Sequence, residues 1–286
     1  MKDIIRIAVQ KSGRLSEDSL TLIKECGIKF NAGKGKLKAE ASNFPVEFLF
    51  LRDDDIPGYV SDGVADIGIV GHNVVLEKQE DVRIVKRLGF SKCRLSLAIP
   101  KAVPYHDKQF FNGKSIATSY PNILQQYLKE NGLSAEIHEI SGSVEIAPSI
   151  GLADGIFDIV SSGSTLLSNN LKEVEVVMKS EAVFIAGNSL TEGKNKILQQ
   201  MIFRLDSVLS AQNNKYILLN APNHSIDKIT RILPGMKSPT VLPLAVEGWS
   251  SIHSVISEDE FWQVIENLRE AGAQGILVVP IEKMIL

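Results

Sequence analysis

The chain has 286 residues, 44% of them hydrophobic and 23% charged, and 31 Lys and Arg against 34 Asp and Glu leave a formal charge of −3. A near-neutral chain with no basic block at either end excludes an electrostatic surface for bulk nucleic acid or anionic membrane. Cys26 and Cys93 show neither CxxC nor Cys/His metal spacing, which argues against a disulfide scaffold or a zinc site and for a reduced, cytoplasmic protein.

The opening residues are charged and then strand-like, unlike a signal peptide, and no apolar run reaches the ~18 residues that span a bilayer. The length predicts two domains, or three. Short β-branched runs alternate with helical patterns through the first half, the mark of α/β units on a largely parallel sheet. Residues 4–9, 46–51, 67–70 and 82–85 read as strands. Ser16–Cys26 reads as a helix with Ser16 as N-cap and Gly27 as its stop, and residues 56–65 as a shorter one.

From Cys93 the pattern restarts. Strands are expected over 94–99, 115–118 and 136–140, helices over 121–130 and 144–152, and a buried strand over 156–160 that runs into Ser161-Ser162-Gly163-Ser164-Thr165. Two α/β lobes joined near 90–98 and 175–186 predict a clamshell with its ligand between the lobes. A long amphipathic helix, 194–209, ends at a polar break, Gln212-Asn213-Asn214. The remainder reads β-α-β-β-α-β, a ferredoxin-like order, with Ser257 and Glu260 as a capping box for its second helix. The expected domains are 1–97 with 181–211, 98–180, and 212–286.

The hydroxyl-rich loop after the buried strand is the most informative segment. Backbone N–H groups, hydroxyls, a glycine and a helix start converge there, which makes an anion cradle or a Ser/Gly-rich turn. No lysine stands in Walker-A position. Asp154 and Asp158 precede the loop, where carboxylates serve ribose hydroxyls or a magnesium ion, with a solvated loop carboxylate as the alternative for Asp158. Lys11, Gly13 and Arg14 follow the first strand, and Arg52 follows the second amid three acids, where it either binds phosphate or forms a local ion pair. Gly71 closes a third strand as a packing glycine or a point of close ligand approach. The five histidines are scattered, and Trp249 and Trp262 read as core or interface residues.

The segments IAVQKSGRL (7–15), LRDDDIPG (51–58), CRLSLA (93–98), IATSYP (116–121), 142–165, PTVLPLA (239–245) and PIEKM (280–284) together resemble the long form of the ATP phosphoribosyltransferase family. That resemblance implies a two-lobed, periplasmic-binding-protein-like catalytic core with a C-terminal ferredoxin-like (ACT-like) regulatory domain. It implies condensation of ATP with phosphoribosyl pyrophosphate (PRPP) to N1-(5-phosphoribosyl)-ATP and pyrophosphate, with Mg²⁺ required, as the first step of histidine biosynthesis.

By the same resemblance, Ser161, Ser162, Gly163, Ser164 and Thr165 hold the PRPP 5-phosphate, and Asp154 and Asp158 face the ribose and its metal. Lys11, Gly13, Arg14, Arg52, Gly71, Tyr120 and Glu145 are assigned to ATP or pyrophosphate. Thr240 and Ala273 are assigned to histidine as a feedback inhibitor. The family implies a homo-oligomer, dimer to hexamer, with no nucleic-acid or membrane partner. The competing reading is a two-lobed solute-binding or ligand-sensing module, since the clamshell does not fix function.

Overall fold

A computed structural model of the chain describes residues 3–31, 33, 35–233 and 235–285. Contacts divide it into two compact units, residues 1–21 with 28–197 and residues 22–27 with 198–286. The first unit holds two sheets.

The first lobe runs β1 (Ile5–Gln10), α1 (Arg14–Glu25), β2 (Lys38–Glu40), β3 (Val46–Leu51), α2 (Ile56–Ser61), β4 (Ile67–Gly71), α3 (His72–Lys78) and β5 (Val82–Arg87). The second runs β6 (Cys93–Pro100), β7 (Ser115–Thr118), α4 (Pro121–Glu130), β8 (Glu136–Glu139), β9 (Gly155–Val160), α5 (Ser164–Ser168) and β10 (Leu171–Ser180). The chain then returns to the first sheet as β11 (Ala182–Gly187) and continues into α6 (Glu192–Gln212). The sheet orders are β2-β3-β1-β4-β11-β5 and β10-β6-β9-β7-β8.

β1 pairs in parallel with β3 and β4, and β7 with β8 and β9, so their carboxyl ends gather on one edge of each sheet. The central strands are largely apolar and buried: Ile7, Ala8, Val9, Ile67 and Ile69 are fully buried, as are Leu95, Leu97, Ile116 and Phe157. All of β6 belongs to the second sheet, so the border between the lobes lies before Cys93 and not at residue 97.

Several element ends move for local reasons. α1 begins at Arg14, so Ser16 lies inside its first turn and does not cap it. Residues 144–152 do not form the expected helix: a 3₁₀ turn over Val144–Ile146 gives way to a run of hydrogen-bonded turns. Pro148 has no N–H to offer Val144, and Gly151 adopts a positive φ of 75°, so the 3.6-residue ladder cannot propagate.

The second unit contains β12 (Asn214–Pro222), α7 (Ile226–Ile232), β13 (Thr240–Pro243), β14 (Trp249–Ser257), α8 (Glu258–Glu270) and β15 (Gln274–Pro280). All pairings are antiparallel in the order β13-β14-β12-β15, which is the ferredoxin-like arrangement. Alternation along β12 and β14 sends Ile217, Leu219, Ala221, Ile252 and Ile256 against the two helices. Ser257 caps α8, its hydroxyl accepting from the Glu260 N–H at 3.2 Å.

The unit also takes in α6 from Leu198 onward, where Leu198, Met201, Leu205 and Val208 are buried, so its border lies within that helix and not after it. Cys26 is buried here, and burial pushes its thiol up to about 12, leaving it inert. Trp262, read as core or interface, is 71% exposed on α8 and stacks edge-on against Phe261. No described helix is long and apolar enough to cross a membrane.

Candidate active site

The site is built from strand ends. Between the two sheets lies a cavity of about 280 Å³ lined by Gln10, Gly13, Arg14, Asp53, Gly71 and Asn73 from the first lobe and by Cys93, Ile159 and Ser161 from the second. A neighbouring cavity of about 440 Å³ shares Lys92, Cys93 and Ser161 with it and adds Arg87, Arg94 and Lys179. Ser161, the first residue of the hydroxyl loop, therefore sits where the two spaces meet. Lys92 and Lys179 line the walls there, beside Arg87, which pairs with Glu181 at 3.1 Å.

The loop has the form of a cradle. Gly163 takes a φ of +81° as N-cap of α5, a conformation other residues enter only with strain. Ser162 and Ser164 share a hydroxyl contact of 2.9 Å, and the Ser164 N–H lies 3.4 Å from the Ser162 hydroxyl. No hydrogen bond among the described residues uses the N–H of Ser162, Gly163 or Thr165, and all three residues are accessible. With only five residues, α5 has little macrodipole, so the free N–H groups and hydroxyls themselves make the anion site.

The base of the loop is held by a group the sequence reading passed over. Arg94 on β6 donates from Nη1 to the Ser161 carbonyl at 3.0 Å. Its Nε and Nη2 grip the Glu173 carboxylate at 2.5 and 2.6 Å, and the Ser96 hydroxyl donates to the same carboxylate at 2.6 Å. The Arg94 guanidinium keeps the Glu173 carboxyl below its usual range. A charged residue within the apolar CRLSLA strand was the available signal. Its partner on β10 lies 79 positions away, beyond any motif.

The two aspartates before the loop part company. Asp158, near the carboxyl end of β9, is half-buried, and burial pushes its carboxyl up to about 6, with Glu145 adding to the rise against the Ile159 N–H. Asp154 precedes the same strand at its other end. There it accepts from the Ser115 N–H at 3.0 Å, the Ser115 hydroxyl at 3.2 Å and Lys114 Nζ at 3.2 Å. The Ser115 N–H leads in holding its carboxyl below the ordinary value. At ~3.3 Å per strand residue the two carboxylates stand about 13 Å apart, and Asp154 is about 23 Å from Ser161. The structure therefore removes Asp154 from the ribose and from any metal shared with Asp158.

The other predicted residues are placed as follows. Gly13 has a φ of +94° and its carbonyl accepts from the Glu17 N–H, while Arg14 is mostly exposed, with Nε 3.8 Å from Asp18. Lys11 and Arg52 are exposed at adjacent strand ends, tied by the Lys11 N–H to the Leu51 carbonyl at 2.8 Å. Arg52 forms no ion pair among the described residues, and it is Asp54 that pairs, with Lys78 at 4.0 Å. Gly71 lines the cavity, and a Cβ there would come within 2.5 Å of Asn73 Oδ1, which accounts for the glycine by packing.

Tyr120 is half-buried. Burial, then Asp158, Asp53 and Asp54, raise its phenol above the ordinary value, so it stays a hydrogen-bond donor. Glu145, in the 3₁₀ turn after β8, acts on Asp158 electrostatically. No group of three His, Cys, Asp or Glu among the described residues forms a metal cage. Asp158 with Glu145 suits a magnesium ion that arrives on substrate phosphates and keeps most of its waters.

In the second unit, Thr240 is exposed on β13 opposite His253. Ala273 is buried before β15, at the other edge of the sheet. Three strand spacings of ~4.8 Å put them about 14 Å apart, so the structure does not bring them together within one chain.

The family model for ATP phosphoribosyltransferase matches residues 52–207, and the model for the HisG C-terminal domain matches residues 211–283. The ATP phosphoribosyltransferase of Cytophaga hutchinsonii is 61% identical over 285 residues and covers 100% of both chains. That of Bacteroides fragilis is 58% identical over 283 residues, 99% of this chain and 100% of its own. The chain belongs to the ATP phosphoribosyltransferase family. It is thereby a pentosyl-transferring enzyme, and the C-terminal match marks the long form of the family.

A solved chain from the ATP phosphoribosyl transferase (HisG:HisZ) complex of Thermotoga maritima matches with a TM-score of 0.63 at 30% identity, over 72% of this chain and 99% of its own. That protein is matched almost end to end while more than a quarter of this phosphoribosyltransferase is left over.

Proposed function

We propose that the enzyme condenses ATP with PRPP to N1-(5-phosphoribosyl)-ATP and pyrophosphate, opening histidine biosynthesis in the cytoplasm. The observation that carries the reading is the loop Ser161–Thr165, with free N–H groups and hydroxyls at a cavity ringed by cations. It is where the 5-phosphate of PRPP binds. Lys11, Arg14 and Arg52 face the pyrophosphate and the ATP phosphates, being strand-end cations with no strong partner of their own.

Adenine N1 attacks the anomeric carbon as pyrophosphate leaves, through a transition state with oxocarbenium character. No protein nucleophile is needed, and the chain positions two polyanions and balances the departing charge. Asp158 stands beside the ribose, where its carboxylate stabilises developing positive charge once it is ionised. Tyr120 keeps its proton and donates a hydrogen bond to an anionic oxygen in the cleft. Asp158 and Glu145 would support a Mg²⁺ ion brought in on the substrate phosphates, and the chemistry that ion would supply is neutralisation of charge on the leaving pyrophosphate.

The C-terminal unit is proposed to bind histidine and inhibit the enzyme. Thr240 and Ala273 lie at opposite sheet edges, so an effector that touches both requires two copies of the unit. Inhibition is in this way tied to a homo-oligomer. The test is absorbance of phosphoribosyl-ATP on mixing ATP, PRPP and Mg²⁺, with and without histidine. Product in the first arm and its suppression in the second are expected; no product with both substrates present overturns the assignment. A ligand-sensing module would bind a substrate and turn nothing over.

A further inference from the structure

Helix α4 of the second lobe opens without a capping side chain of its own. Its N-cap is Tyr120, which makes no side-chain bond to the helix, and Pro121 at the helix start carries no N–H. The N–H groups of Asn122 and Ile123 belong to the set that no helix can satisfy from within. Both donate to one carboxylate of the other lobe, Asn122 to Glu77 Oε1 at 2.9 Å and Ile123 to Glu77 Oε2 at 3.0 Å. The Asn122 side chain completes the contact, Nδ2 donating to the Glu77 carbonyl at 2.9 Å.

Glu77 lies in the last turn of α3 and is 5% exposed. A carboxylate so buried is costly unless charge and hydrogen bonds compensate it, and it forms no ion pair among the described residues. The compensation comes from the uncapped, positive end of α4. Helix α3 is also tied to the second lobe at its other end. The Asn73 N–H donates to the Ser180 hydroxyl at 3.0 Å, and that hydroxyl donates to Asn73 Oδ1 at 2.8 Å. Thus α3 is a strut of the first lobe fastened at its start to β10 and at its end to α4.

We propose that Glu77 is a positioning residue whose carboxylate clasps α4 and holds the two lobes at the separation at which the cleft binds its substrates. This rests on the reading of the cleft as the phosphoribosyltransferase site. On opening, water would solvate both the carboxylate and the N–H groups, so the clasp biases an equilibrium and is no permanent lock. Losing it lowers the fraction of closed molecules, which weakens apparent affinity by that fraction and leaves the saturated rate intact.

The experiment compares Glu77→Ala and Glu77→Gln in the full chain by steady-state kinetics and by hydrogen exchange of the free and substrate-saturated protein. Glu77→Ala is expected to raise KM for PRPP about tenfold with kcat within about twofold, and Glu77→Gln, which keeps one acceptor oxygen, to recover part of that. In the free Ala variant, exchange should quicken at 122–123 and also at 161–165, a segment Glu77 does not touch; saturating PRPP and ATP should abolish the difference at 161–165. Faster exchange at 122–123 alone, with KM unchanged, reduces Glu77 to a local cap and overturns the proposal. So does a fall in kcat at unchanged KM. The free-protein exchange arm needs no turnover, so it still decides the clasp if the transferase reading itself fails. Should Glu77→Ala not fold, Asn122→Ala removes only the Nδ2 contact and must shift KM the same way by a smaller factor.

Discussion

The two ends of β9 carry the same kind of side chain and put it to opposite use. Asp154 is exposed, surrounded by donors and more acidic than usual, whereas Asp158 is half-buried, short of donors and pushed up to about 6. Three residues of extended chain lie between them. At the first end the carboxylate locks Ser115 and Lys114 onto the start of β7. At the second it stands beside Glu145 and Tyr120, behind a loop with unspent N–H groups. Charge placed among donors stabilises the fold, while charge kept from them is held for a ligand.

The largest effect is expected at the loop itself. Gly163→Val forces a β-branched residue to a φ of +81°, while the atom nearest to the new Cβ is a Val160 methyl at 3.9 Å. The cradle should distort with the core intact. We expect kcat/KM for PRPP to fall roughly 100-fold, as for loss of an oxyanion-type donor set, with melting little changed. A variant that uses PRPP as well as the parent does would show that these N–H groups hold nothing.

Asp158 gives the next largest effect, and its sign depends on pH. Its folded value lies above the ordinary 3.8, so the folded protein binds the proton more tightly than the unfolded chain. The associated stability is complete below the ordinary value and lost as pH rises through about 6. Asp158→Asn should therefore melt about 2 °C higher at pH 8, match the parent at pH 4, and lose about tenfold in kcat. A variant destabilised at pH 8 would place Asp158 with Asp154 among the structural carboxylates.

Asp154→Asn should do least. Its depressed value contributes stability that is present above the ordinary carboxylate range and lost as pH falls through the folded value. The group is exposed and screened, so the loss at pH 7 should be slight, and kcat/KM should stay within about twofold. A tenfold loss for PRPP would return Asp154 to the site.

Much of this was legible beforehand, and the failures have physical causes. The β-α-β-β-α-β order of the second unit followed from alternation and turn residues, and Ser257 was recognisable as a cap because the bond it makes is three residues away. The strand running into Ser161–Thr165 was visible because a continuous apolar run stopped at hydroxyls and a glycine. The helix over 144–152 was misread because apolar spacing outweighed Pro148, whose missing N–H the backbone could not do without. Helix α3, His72–Lys78, was overlooked, being seven residues long with a glycine immediately before it. Arg94 escaped because its two partners, Glu173 and Ser161, come from flanking strands. Glu77 escaped because the donors it satisfies lie 45 and 46 positions on.

Local periodicity sets the strands, the doubled α/β lobes, the terminal ferredoxin-like unit and the loop able to cradle a phosphate, since each depends on neighbours within one or two turns of chain. Which aspartate lies next to that loop, what braces it, and how one lobe closes a helix of the other follow from long-range packing alone. A strand has two ends about 20 Å apart over six residues, and an uncapped helix accepts any carboxylate that packing delivers to it. Neither outcome is set until distant segments meet.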